Sequence, residues 1–130
     1  MSRDYNKFHV WKNSYRFLLD VYVILNKLPE FEERNIKDQF RRAATSICLN
    51  IVEGSSSRSN KVFLNHLNYS YGSAKECDVL LLLCKDLNYI TFTEFDVLKN
   101  NLEQLKSQLY LFMISVEKEI TNNQQNFIFL

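Results

Sequence analysis

Five cations form the pattern in this chain most able to do chemistry: Lys37, Arg41 and Arg42 within little more than one helical turn, then Arg58 and Lys61 beyond a serine-rich stretch. Guanidinium and ammonium groups gathered this way can contact phosphates, which would make RNA or DNA the partner. The plainer alternative is solvated side chains, or salt bridges across a subunit boundary to acids such as Glu53 and Glu76. Beside the cations, Gln39, Asn50 and Glu53 form a polar set on the same segment. They read either as an exposed ligand site or as hydrogen-bond partners of the loop that follows. Glu53 near a helix C-terminus is unfavourable with the helix dipole and is expected to have a donor, with Arg58 as a candidate.

Catalytic and metal chemistry find little to work with. His9 and His66 are the only histidines, and neither belongs to a pair at the spacing that builds a metal site in a helical bundle. Ser55, Ser56 and Ser57 have no placed base, and two glycines are too few for a phosphate-cradling loop. Cys48, Cys77 and Cys84 are odd in number with no Cys-x-x-Cys spacing, and read as small buried hydrophobes in a reducing compartment. The sequence therefore predicts no enzyme, cofactor, metal or small-molecule substrate. With 16 basic and 15 acidic residues, net charge +1, any nucleic-acid site must be a local patch. No apolar run reaches signal or membrane-spanning length, so a soluble cytoplasmic protein is expected.

The elements that must carry these groups are helices. At 130 residues the length suits one domain, and 2 Gly with 1 Pro leave few turns for a β fold. Trp11, Tyr15, Leu18, Tyr22 and Leu25 alternate in steps of four and three, predicting a helix from about His9 to Lys27. Ile36, Phe40, Ala43, Ile47 and Ile51 predict a second over roughly Ile36 to Glu53, with Gly54 at the left-handed turn after it. Ser59 is placed to cap a third, whose seam is Phe63, Leu67, Ser70, Ala74, Cys77, Leu81 and Cys84. Thr91 and Glu94 have the spacing of a capping box before a fourth, with Phe95, Leu98, Leu102, Leu105, Leu109, Phe112 and Val116. Four seams on short connections predict an all-α, antiparallel, up-and-down four-helix bundle over residues 9–120. Residues 1–8 are an N-terminal arm. Residues 121–130 form a tail, either disordered or docked by its apolar end, Phe127 to Leu130, on a neighbouring subunit.

Two helices carry more apolar surface than one bundle can cover. Helix two places Cys48, Leu49 and Val52 away from its seam, and helix three has the run Val79-Leu80-Leu81-Leu82-Leu83. A subunit interface through Cys48, Leu49, Val52 and Leu82 is the reading preferred over a centrally buried helix.

With these motifs placed, the chain resembles the 23S rRNA-intervening sequence proteins, also called the S23 ribosomal protein family. The carrying residues are Gln39-Phe40-Arg41-Arg42-Ala43-Ala44-Thr45-Ser46-Ile47 and Asn50-Ile51-Val52-Glu53-Gly54. They are similar to the family's Gln-x-Arg-Arg-Ala-x-x-Ser-Ile-x-x-Asn-Ile-Ala-Glu-Gly. Trp11, Pro29, Ser59, Phe63, Gly72-Ser73 and Glu76 add support, over a span from about Phe8 to Val116. Two positions depart: Cys48 stands where the family usually has Pro, and Val52 where it has Ala. The resemblance implies a four-helix bundle and a homo-oligomer, with pentamers known in the family. It does not imply a ribosomal component.

Overall fold

The computed structural model describes residues 4–129, with the backbone alone for residues 124–129. Its elements are α1 (His9–Leu25), α2 (Ile36–Ser55), α3 (Asn60–Asp86) and α4 (Phe92–Phe129), with single 3-10 turns at Tyr5–Lys7 and Glu30–Glu32. No strand occurs among the described residues. Each helix packs on its sequence neighbours and α1 closes the circle on α4, with the α2–α3 seam the most extensive. This is the four-helix bundle that the seams require.

Local chemistry sets the helix ends. The Ser59 hydroxyl accepts from the Val62 N–H at 3.3 Å and starts α3. At α4 the Thr91 N–H donates to Glu94 Oε1 at 2.9 Å while the Glu94 N–H donates to Thr91 Oγ1 at 3.1 Å, a complete capping box. The left-handed turn falls after α3 rather than after α2. Asn88 takes φ 60°, and the Tyr89 N–H reaches back to the Cys84 carbonyl at 2.9 Å. Gly54 lies within α2 at negative φ, so the expected left-handed cap there is corrected. Its lack of a side chain serves close approach instead: a Cβ at Gly54 would stand 2.8 Å from both His66 Cβ and Phe63 Cδ1.

The seams of α2, α3 and α4 face the core as expected, with Phe40, Ile47, Ile51, Phe63, Leu67, Leu81, Leu102, Leu105 and Leu109 fully enclosed. Each such side chain contributes on the order of 1.5–3 kcal/mol by leaving water. The α1 seam is corrected by one residue. Val10, Ser14, Phe17, Val21 and Ile24 are buried; of the expected seam Leu25 is buried too, Trp11 and Leu18 pack partly buried against the core, and Tyr15 and Tyr22 are about half exposed. The two stripes lie side by side on α1. Aliphatic and Phe side chains can be enclosed outright, whereas the Tyr15 and Tyr22 rings pack at the edge with their hydroxyl ends toward water. The Trp11 indole N–H is buried there without a hydrogen-bond partner among the described residues.

Helix α4 continues to Phe129, past the boundary expected at residue 121. Thr121, Asn122 and Asn123 are exposed on it. The packing of Phe127 to Leu130 lies outside the described residues, as do residues 1–3 of the N-terminal arm.

Candidate functional site

The outer side of α2 is where the cations and amides singled out by sequence come together. At 100° per residue, Asp38, Arg42, Leu49 and Glu53 form the stripe opposite the buried Phe40, Ile47 and Ile51. Two surface grooves flank it. A groove of about 520 Å³ toward α1 is lined by Tyr22, Arg41, Arg42, Leu49, Asn50 and Glu53 among others, and one of about 340 Å³ toward α3 by Gln39, Arg42, Ser46, Ser73 and Glu76.

The helix-two cations are already engaged within the chain. Arg41 Nη2 lies 2.8 Å from Glu33 Oε1 and also donates to the Glu33 carbonyl at 3.3 Å. Lys37 Nζ lies 3.3 Å from the same carboxylate, and Arg42 Nη1 lies 3.6 Å from Asp38. Hydrogen bonds from Lys37 and then Arg41 hold the Glu33 carboxyl below the usual range. Within the chain the acids these cations meet are Glu33 and Asp38. Arg42 keeps 79% of its side chain exposed. Arg58 and Lys61 are exposed and make no ion pair among the described residues.

The amides and hydroxyls build a hydrogen-bonded relay between α2 and α3. The Ser73 hydroxyl donates to Ser46 Oγ at 2.8 Å, and Asn50 Nδ2 donates to both the hydroxyl and the carbonyl of Ser46 at 3.0 Å. That leaves Asn50 Oδ1 as an acceptor, so His66 Nδ1, 2.9 Å away, carries the proton. Glu53 Oε2 stands 3.8 Å from the same nitrogen. His66, not Arg58, is therefore the donor-side neighbour of Glu53. Below the relay the buried Ser70 hydroxyl donates to the Ile47 carbonyl at 2.8 Å. Gln39 lies about two turns before Ser46, its amide donating to Asn35 Oδ1 at 3.0 Å.

The expected interface residues separate. Leu49 is 53% exposed and Leu82 is 45% exposed, on the outer sides of α2 and α3. Val52 is half-buried, and Cys48 is buried beside Ser14 of α1, so Cys48 is corrected from an outer-face residue to a core one. Burial pushes the thiols of Cys48, Cys77 and Cys84 upward, that of Cys84 to about 11, so at neutral pH they stay protonated. No three His, Cys, Asp or Glu side chains converge on a metal position among the described residues. No described helix is long and apolar enough to cross a membrane.

One tie had no signal in the sequence. Glu32, buried in the α1–α2 connection, accepts from the Tyr89 hydroxyl at 2.8 Å and from Asn35 Nδ2 at 3.1 Å. The partners are 57 positions apart for Tyr89 and in an irregular turn for Asn35, and neither periodicity nor capping rules reach such a pair.

The family described as 23S rRNA-intervening sequence protein matches residues 6–111. Among solved structures, a protein of unknown function from the S23 ribosomal protein family of Bacteroides thetaiotaomicron VPI-5482 is similar, at 27% identity and a TM-score of 0.74. The match covers 80% of this chain and 97% of that one. None of the curated proteins matches the chain.

Proposed function

The chain belongs to the family of 23S rRNA-intervening sequence proteins, and from that premise we propose that it is a non-enzymatic helical module that works as a homo-oligomer. The observation that carries this reading is the uncovered apolar surface on the outer sides of adjacent helices, with Leu49 on α2 and Tyr69, Val79, Leu82 and Leu83 on α3. Contiguous apolar surface of this kind is covered in most proteins by a partner. A pentamer is the count that the family resemblance implies, and three unpaired buried cysteines suit the reducing cytoplasm. Light scattering on the full chain is expected to give a multiple of the single-chain mass. Leu49→Asp and Leu82→Asp should each lower it while circular dichroism stays helical. Unchanged mass in both variants would count against the reading.

A second reading, nucleic-acid binding, is favoured by one observation: Arg58 and Lys61 stand exposed and unpaired among the described residues at the α2–α3 junction. Repetition of that junction around an oligomer would multiply a weak site. Binding of RNA and DNA measured across salt should weaken as salt rises and should weaken further in Arg58→Ala. No binding at low salt, or binding indifferent to Arg58→Ala, sinks it. A protein-binding scaffold with no nucleic-acid role is then the remaining use of the module.

A further inference from the structure

We propose that the outer stripe of α2 in one copy packs antiparallel on the outer stripe of α3 in a second copy, with Arg42 meeting Glu76 and the backbones approaching over Gly72. This rests on the homo-oligomer reading and names its contact.

The starting observation is a glycine without an internal reason. Gly72 sits in the middle of α3, on its exposed side, at negative φ. A Cβ there would meet nothing within 4 Å, in contrast to Gly54. A glycine inside a helix costs stability relative to alanine, so a position that needs neither its φ nor its small size within the chain points to a neighbour outside it. Gly72 lies on the same face as Asn65, Tyr69, Glu76 and Val79, all exposed.

Charge and register identify the neighbour as the α2 stripe. Within one chain the hydrogen bonds of Ser46 to Ser73 and Asn50 to His66 fix which residues of α2 and α3 stand at equal height. In a ring of parallel copies the neighbouring α3 stands at that same height. Arg42 then faces Glu76, Thr45 faces Gly72, Leu49 covers Tyr69, and Glu53 faces Asn65 with Lys61 one turn beyond. A small side chain meets the glycine, apolar meets aromatic, and two of the three charges on the α2 side, Arg42 and Glu53, meet a complement, while Asp38 stays beside Arg42 within its own chain. Glu76 has no ion pair among the described residues, and Arg42 keeps most of its surface in water. The outward faces of adjacent helices in a bundle diverge by roughly a right angle, so this head-to-tail contact closes a small ring.

The test is the mass of the full chain by light scattering over a concentration series, with far-ultraviolet circular dichroism as the control for folding. Gly72→Leu, whose side chain meets nothing in its own chain, should raise the half-assembly concentration by about tenfold or more with helicity unchanged. Arg42→Glu and Glu76→Arg should each do the same, and the two together should recover assembly. A single-chain mass for the unaltered protein at every concentration overturns the oligomer itself. An assembled protein indifferent to Gly72→Leu, or one that the paired reversal fails to restore, overturns this contact and leaves the oligomer standing.

Discussion

The α2–α3 seam and the α1–α4 seam close the same core with different chemistry. Between α2 and α3 the cross-links are mainly directed hydrogen bonds: Ser70 to the Ile47 carbonyl, Ser73 to Ser46 and Asn50 to His66, with Glu53 beside His66 at the exposed end and Gly54 letting the backbones draw together. Between α1 and α4 the described polar ties are the Asn13 to Gln108 hydrogen bond at 2.7 Å and the ion pair of Lys27 with Glu94. The α2–α3 seam depends on shape and on directed hydrogen bonds. The other depends on apolar contact and, at one end, on charge. The most direct way to break the first is to add volume where there is none. Gly54→Ala should destabilise the fold by about 1–3 kcal/mol, because its Cβ would stand 2.8 Å from two atoms of α3 that belong to the core packing. Urea unfolding at neutral pH measures it; a cost near zero would mean that the helices part without penalty.

A smaller effect sharpens the same contrast. Ser70→Ala removes a buried cross-helix donor while filling almost the same space, and should cost about 0.5–1.5 kcal/mol. Since no titratable group takes part in that bond, the cost should be equal at pH 5 and pH 8. A cost that changed with pH would show that this bond is coupled to a titrating neighbour.

The difference between the seams also explains what could be read from residues alone. On α2, α3 and α4 one stripe is plainly more apolar than its neighbours, so Ile47, Leu67 and Leu105 were placed by spacing, as were the Ser59 cap and the Thr91–Glu94 box. Helix α1 carries two adjacent apolar stripes with the same four-three spacing, and periodicity cannot choose between them. Side-chain chemistry held a usable signal: the Tyr15 and Tyr22 hydroxyls need water or partners, whereas the stripe with Phe17 and Val21 has only the Ser14 hydroxyl, which donates to the Trp11 carbonyl of its own helix. The cations of the candidate site were found, but only part of their pairing was legible. Asp38 lies one turn before Arg42, the ordinary helical spacing, whereas Glu33 reaches Arg41 from the turn before α2 and is set by the path of that connection. The outer stripe of α2 was visible as excess apolar surface; that Cys48 belongs to the core depended on where α1 lies.

The smallest expected effect is the one that tests the charged end of the α1–α4 seam. Hydrogen bonds to Glu94 from Lys27, first, and from the Thr91 N–H hold its carboxyl down to about 2, well under the usual carboxylate value of about 4.3. A carboxyl lowered on folding stabilises the native state fully above its unfolded value, and that contribution is lost as pH falls from there through about 2. Part of the pair is in water, which screens it, so on the order of 0.5–1 kcal/mol is expected. Glu94→Gln retains a side chain able to complete the capping box but cannot form the ion pair. The stability difference between the parent and Glu94→Gln should therefore be largest near neutral pH and low salt, and should shrink as pH falls below about 4. Taking the difference removes the titration of Glu33 and Glu103, whose carboxyls are also held low by neighbouring lysines and, for Glu33, Arg41. Hydrogen exchange should locate the loss at the end of α1 near Leu25, with α2 and α3 amides unaffected. A difference that stays flat from neutral pH to pH 2.5, or protection lost first in the α2–α3 seam, would overturn the assignment of this pH dependence to Glu94.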